Sequence, residues 1–229
     1  MKRLGVLGGM GPAASAEFLV RLIEQTTAGC DQEHIPVILW SDTTIPDRST
    51  SLLNGDDLPW EYIRRGIQGL KNAECDHIVV PCNTAHFWYD RMAELGVPMT
   101  HIVDSVANQL IENKVVNTTI GILGTQATIS QGLYQTRLEQ QGWKCITPTS
   151  KEMTEVVQPA IDLIKAGKIT MAEGLLIQVI AHLIDWGANA VVLGCTEIPL
   201  AVRARFYKNR PLINSIDSLV NSVLTEWKK

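Results

Sequence analysis

Cys82 and Cys195 each follow an apolar run and precede a segment with helical patterning, in His77-Ile-Val-Val-Pro-Cys82-Asn83-Thr84-Ala-His86 and Ala190-Val-Val-Leu-Gly-Cys195-Thr196-Glu197-Ile-Pro199. They lie 113 residues apart, and Pro98-Met-Thr-His-Ile-Val-Asp104-Ser105 realigns with Pro211-Leu-Ile-Asn-Ser-Ile-Asp217-Ser218 at the same offset. Leu4-Gly-Val-Leu-Gly8 realigns with Ile120-Gly-Ile-Leu-Gly124 at an offset of 116. A chain that repeats in this way is expected to fold as two similar lobes, each presenting one thiol. Two thiols facing one pocket from opposite sides suit removal of a proton from one face of a carbon and its return on the other. A lone cysteine is ordinarily a small packing residue, but the matched settings of these two argue for chemistry. Cys30, Cys75 and Cys145 lack such settings and are assigned none.

Asn83-Thr84 and Thr196 can cap the helices that follow, leaving backbone amides near each sulfur. A helix N-terminus favours thiolate over thiol, so a depressed thiol pKa is expected at both positions. Glu197, two residues after Cys195, can orient an ammonium group or tune that sulfur. Cys82-x-x-x-His86 places two metal-ligand types on one helical face, but no third and fourth ligand stand at suitable spacing, so no metal is expected.

Gly8-Gly9-Met10-Gly11-Pro12 lets the backbone pass close to an anion at a helix start. From Gly9 the run also fits the loose dinucleotide pattern G-x-G-x-x-G/A. Asp31 and Glu33 precede the second strand instead of ending it, so capture of a carboxylate is the preferred reading, with Gly124-Thr125-Gln126 as its counterpart. Arg48, in Pro-Asp-Arg-Ser, is a planar bidentate donor suited to a carboxylate. Lys165, near the end of an amphipathic helix, is a second candidate cation.

Short aliphatic runs alternate with helical stretches, as in βα units around a mostly parallel sheet. The pattern predicts strands near 3–7, 36–41, 77–81, 99–102, 118–123, 144–147, 190–194 and 211–213. Helices are predicted near 13–28, 58–73, 85–95, 104–113, 127–141, 152–166, 170–186, 197–206 and 215–227. Residues 43–57 read as the longest irregular stretch, the kind of loop that often carries function. The expected fold is α/β, with two pseudo-symmetric lobes, each a mostly parallel sheet flanked by helices, and an active site in the cleft between them. Taking Pro98 and Pro211 as crossover points, residues 1–98 plus 208–229 form the N-terminal lobe and 99–207 the C-terminal lobe.

The 229 residues carry a net charge of −4 with scattered Lys and Arg, which gives no basic face for nucleic acid. No apolar run reaches the roughly 18 residues that span a bilayer. Met1-Lys-Arg enters a strand-like segment within a few residues, so no signal peptide is expected. An odd count of five cysteines without framework spacing suggests a reducing compartment, with the cytoplasm as the expected location.

Leu7-Gly-Gly-Met-Gly-Pro12, Ile45-Pro-Asp-Arg-Ser49, Pro81-Cys-Asn-Thr-Ala-His86 and Leu193-Gly-Cys-Thr-Glu-Ile-Pro199 occur in that order. With these motifs the chain resembles the cofactor-independent aspartate/glutamate racemase family over essentially its full length, closest to the aspartate racemase branch. The resemblance implies a site between two α/β lobes, no pyridoxal phosphate or other cofactor, and a homodimer. It also implies that Cys82 and Cys195 are the acid/base pair, that Asn83, Thr84, Thr125 and Thr196 hold the α-carboxylate and neighbouring atoms, and that Met10 lines the pocket. Arg48, helped by Lys165, would grip the distal carboxylate, and Glu197 would sit by the ammonium. Relatives with a single cysteine or with threonine in place of one fit less well, because this chain keeps both thiols. Glutamate racemases carry an Asp-Ser pair where this chain has Gly-Gly-Met-Gly. The alternatives at this point are a maleate-isomerase-type dicarboxylate isomerase or lyase using one cysteine covalently, and a non-catalytic amino-acid-binding protein.

Overall fold

The computed structural model describes residues 2–228. The order is β1 (Leu4–Gly8), α1 (Pro12–Gln25), β2 (Val37–Ser41), α2 (Arg48–Asn54), α3 (Leu58–Asn72), β3 (His77–Val79), α4 (Tyr89–Ala93) and α5 (Ile102–Glu112). There follow β4 (Thr119–Leu123), α6 (Gln126–Ser130), α7 (Leu133–Glu139), β5 (Lys144–Ile146), α8 (Ser150–Glu152), α9 (Gln158–Lys165) and α10 (Ile169–Asp185). The chain ends with β6 (Ala190–Leu193), α11 (Ile198–Ala201), β7 (Phe206–Tyr207), β8 (Arg210–Asn214) and α12 (Ser215–Trp227).

The strands form two sheets, ordered β2-β1-β3 and β5-β4-β6-β8-β7, parallel throughout except for the β7–β8 hairpin. Central strands β1 and β6 are buried along their whole length, as expected of parallel strands covered on both faces. Helices bury one stripe each: Ile63, Ile67 and Leu70 on α3, Leu176, Val179, Ile180 and Leu183 on α10, and Ile216, Leu219, Val220 and Val223 on α12. One apolar cluster joins both halves, packing Leu4, Phe18, Val106, Ile120, Tyr134 and Leu219 together.

The repeat is visible in side-chain detail. His101 caps α5 by accepting the Val103 amide at 3.1 Å, and its counterpart Asn214 caps α12 by accepting the Ile216 amide at 2.9 Å. Arg21 pairs with Asp217 at 3.1 Å, and the equivalent Arg137 pairs with Asp104 at 2.9 Å.

Several sequence expectations need correction. The stretch 43–57 is not wholly irregular, because Asp47 accepts the Thr50 amide at 2.8 Å and Gly55 closes α2 in a left-handed conformation. The predicted helix 127–141 breaks into α6 and α7 at Gly132, whose φ is 72°. The helix expected over 197–206 is only α11, since the chain turns into the β7–β8 hairpin through Lys208 and Asn209, both at positive φ. The strand expected over 99–102 reduces to a bridge between Met99 and Ile78, because α5 begins at Ile102. That bridge extends the first sheet, whereas the expected boundary puts position 99 in the C-terminal lobe. Conversely, the expected boundary puts 208–229 in the N-terminal lobe, whereas β8 pairs with β6, Val191 opposite Leu212. β8 thereby extends the second sheet beyond β6, and α12 then returns against α1 and α5.

Candidate active site

The carboxyl ends of β1, β3, β4 and β6 deliver, respectively, the Gly8–Gly11 turn, Cys82, Thr125 and Cys195 to one crevice, the usual ligand position of an open α/β sheet. All ten residues singled out in the sequence line a single cavity there: Met10, Arg48, Cys82, Asn83, Thr84, Thr125, Lys165, Cys195, Thr196 and Glu197. Asp47 and Ser49 complete the lining. The cavity volume is only about 20 Å³, so these walls stand close together around the two thiols. A larger cleft lies elsewhere, between α5 and α12, and contains neither thiol.

Both thiols are buried, Cys82 at 5% and Cys195 at 3% exposure, and their settings differ. Burial pushes the Cys82 thiol up, the Arg48 guanidinium pulls it back, and Glu197 adds a smaller upward push. Burial also pushes Cys195 up, reinforced by the charge of Glu197 and by the S–H donated to Glu197 Oε2 at 3.0 Å. The expected depression of both thiol pKa values is therefore not found. Cys82 is followed by a 3₁₀ turn (Thr84–Trp88) and Cys195 by only the four residues of α11, so neither sulfur meets a long helix dipole that could offset desolvation.

Glu197 also joins the lobes, because its Oε1 accepts the Gly11 amide at 3.1 Å. A Cβ at Gly11 would lie 3.0 Å from that oxygen, and one at Gly9 would collide with the Asp42 backbone, so the glycine turn is needed for close approach.

The expected caps at Asn83, Thr84 and Thr196 do not form. Thr84 Oγ1 instead meets Thr125 Oγ1 at 3.1 Å and Thr128 Oγ1 at 3.2 Å across the lobe boundary, and Thr125 and Thr128 lie 2.9 Å apart. Thr196 Oγ1 lies 3.4 Å from Glu197 Oε2. The Asn83 amide is held on both sides, by Tyr134 and Ser215. Among these, only Thr125 caps a helix, by accepting the Thr128 amide at 3.3 Å.

Arg48, the first residue of α2, donates to the carbonyls of Ile45 at 3.1 Å and Pro46 at 2.9 Å, while its buried Nε has no partner among the described residues. Lys165, the last residue of α9, lies 3.6 Å from Asp47. Burial acts to lower the Lys165 pKa, but Cys195, Glu197 and Asp47 together raise it, so the ammonium stays charged. His86 Nδ1 donates to the Cys82 carbonyl at 2.8 Å, which shapes the turn without touching the sulfur. Among the described residues no three His, Cys, Asp or Glu side chains cluster as a metal site, and no helix is long and apolar enough to cross a membrane.

Sequence reasoning missed Asp47 and Ser49, which flank Arg48 within a motif already noted. Thr128, Tyr134 and Ser215 support the lining from behind, and no local pattern marks them.

Residues 7–223 match the family model described as Asp/Glu/Hydantoin racemase. The chain is 26% identical to the broad specificity amino-acid racemase RacX of Bacillus subtilis (strain 168), covering 98% of this chain and 97% of that protein. The Picrophilus torridus aspartate racemase structure superposes with a TM-score of 0.87 at 28% identity, covering 100% of this chain and 95% of that one. Glutamate racemase from Francisella tularensis shares the fold, with a TM-score of 0.69 at 17% identity, covering 99% of this chain and 82% of the other. The chain belongs to the Asp/Glu/Hydantoin racemase family of isomerases.

Proposed function

We propose that the protein interconverts the L- and D-forms of an acidic amino acid, aspartate first, by 1,1-proton transfer between Cys82 and Cys195. The observation that carries this reading is the pair of buried thiols lining one small cavity, with a guanidinium acting on one and a carboxylate on the other. In one direction Cys82, as thiolate beside Arg48, takes the α-proton while Cys195 delivers its S–H proton to the opposite face. The reverse direction exchanges the roles, so the two thiols titrate as a coupled pair. An α-carbon is a far weaker acid than a thiol of pKa about 8.5, so charge developing on the α-carboxylate needs donors. Thr84, Thr125, Thr196 and Asn83 are the candidates for that work. Arg48 and Lys165 take the distal carboxylate, Glu197 faces the ammonium, and Met10 packs against the carbon chain. General acid–base help typically gives about 10²–10⁴-fold, and positioning with electrostatics supplies the remainder. A homodimer in the cytoplasm belongs to the same reading, and sedimentation analysis tests the assembly.

Chiral chromatography of L- and D-amino acids incubated without added cofactor is the direct test. Aspartate is expected to interconvert fastest, with solvent deuterium entering at Cα. Cys82→Ser and Cys195→Ser should each abolish turnover. Near-normal racemisation by either variant overturns the two-thiol scheme. A covalent adduct seen by mass spectrometry would favour the isomerase or lyase chemistry instead. Ligand binding without change in optical rotation would favour a binding protein.

A further inference from the structure

A buried polar chain ties the two cysteine turns together, and the direction of every bond in it follows from one end. Ser215 Oγ lies 2.9 Å from the Leu193 carbonyl, and a carbonyl only accepts, so Ser215 donates. The Ser215 oxygen then receives a hydrogen from Asn83 Nδ2 at 3.1 Å. This fixes Asn83 Oδ1 toward Tyr134, whose hydroxyl donates to it at 2.5 Å. Tyr134 and Ser215 are fully buried and neither lines the cavity. The links reach from the residue after Cys82 to the residue two before Cys195.

The chain breaks the internal symmetry. At the repeat offsets, Tyr134 corresponds to Phe18 and Ser215 to Ile102, neither of which has a polar side-chain atom, and Asn83 corresponds to Thr196. Only one side of the pseudo-symmetric site therefore has such a tether. The Tyr134 ring also packs on the second cysteine turn, since a Cβ at Gly194 would lie 2.7 Å from its Cε2.

We infer that Tyr134 and Ser215 are positioning residues that lock the Asn83 amide in one orientation, leaving its second N–H as the side chain's one uncommitted donor in the cavity, and that hold the two cysteine turns in register. The catalytic part of this inference rests on the racemase reading. A buried amide deprived of its partner can flip or lose its aim, and that loss falls on the step in which the substrate carboxylate gains charge.

The experiment compares wild type, Tyr134→Phe, Ser215→Ala, Asn83→Ala and the Tyr134→Phe/Asn83→Ala double variant. Tyr134→Phe and Ser215→Ala should each lower kcat/KM for both enantiomers by about tenfold, and the double variant should lose no more than Asn83→Ala alone. A purely structural hydroxyl would give losses that multiply in the double variant. That result, or a Tyr134→Phe enzyme within about twofold of wild type, overturns the inference. Alkylation by iodoacetamide, resolved by mass spectrometry, gives a readout independent of turnover. Both Cys82 and Cys195 should react at least about threefold faster in Tyr134→Phe or Ser215→Ala, with exposed Cys30 unchanged. Unchanged rates at both site cysteines overturn the inference. A wild type that racemises nothing overturns the racemase reading instead, and the alkylation rates then decide the positioning role.

Discussion

Glu197 holds the thiol of Cys195 at 3.0 Å with one carboxylate oxygen and the amide of Gly11, from the opposite lobe, at 3.1 Å with the other. One side chain thus adds to the burial that holds the Cys195 thiol up and also bridges to the glycine turn of the other lobe. Cys82 has no such acceptor and is acted on by Arg48 instead. Burial holds both thiols up; Glu197 adds to this at Cys195, whereas the Arg48 guanidinium works against it at Cys82.

Glu197→Gln removes the negative charge that helps to hold Cys195 up. The Cys195 pKa should fall, because the thiolate no longer faces a carboxylate. Site-resolved alkylation across pH should show the Cys195 midpoint moving to lower pH. A midpoint that stays or rises would contradict the assignment.

Arg48→Ala should act in the opposite direction on the other thiol. Without the guanidinium the Cys82 midpoint should rise, and KM for aspartate should increase by at least about tenfold. Arg48→Lys keeps the charge but loses the planar fork, so it should restore the alkylation midpoint better than the KM. The same titration combined with steady-state kinetics separates the two effects.

Thr128→Val keeps the volume but deletes one of three mutually bonded hydroxyls, leaving Thr84 and Thr125 without their shared partner. The expected loss is about 1 kcal/mol, or roughly fivefold in kcat/KM, with Thr128→Ser near wild type. A loss in the serine variant with the valine variant near wild type would mean that the methyl group, not the hydroxyl, matters.

Acid should weaken the fold through two buried histidines. Burial lowers His86 to about 4 and His101 to about 2, His101 further by its neighbour His86, against an ordinary value of 6.5. The unfolded chain therefore binds more protons below pH 6.5. Stability is fully present above that value and is lost as pH falls through it toward the folded values. Each histidine contributes a loss of about 2 kcal/mol by pH 5. Urea midpoints should drop between pH 6.5 and 5, and His101→Asn, which retains a capping oxygen, should reduce that slope by roughly half.

The sequence exposed much of this site because the relevant signals are local. Apolar runs ending at Cys82 and Cys195, and the glycine turn after Leu7, mark strand ends, and strand ends are where an α/β sheet presents ligands. The 113- and 116-residue offsets make the duplicated architecture legible in the sequence itself. What escaped is either a faint local signal or depends on distant partners. The helix at Arg48 turns on the Asp47 cap and Gly55, a short motif outweighed by the polar composition around it. The pairing of β8 with β6 instead of the first sheet is a choice between two edges, which no local pattern encodes. The raised thiol pKa values come from packing around the sulfurs, which overrides what the start of a helix would do.

The last strand belongs to the second sheet while the helix after it lies on α1 and α5. The duplicated halves are consequently braided, and cutting the chain at its internal repeat would strip each piece of its covering. A half-length fragment should remain unfolded, and amide hydrogen exchange on the intact protein should show both halves opening together as one cooperative unit.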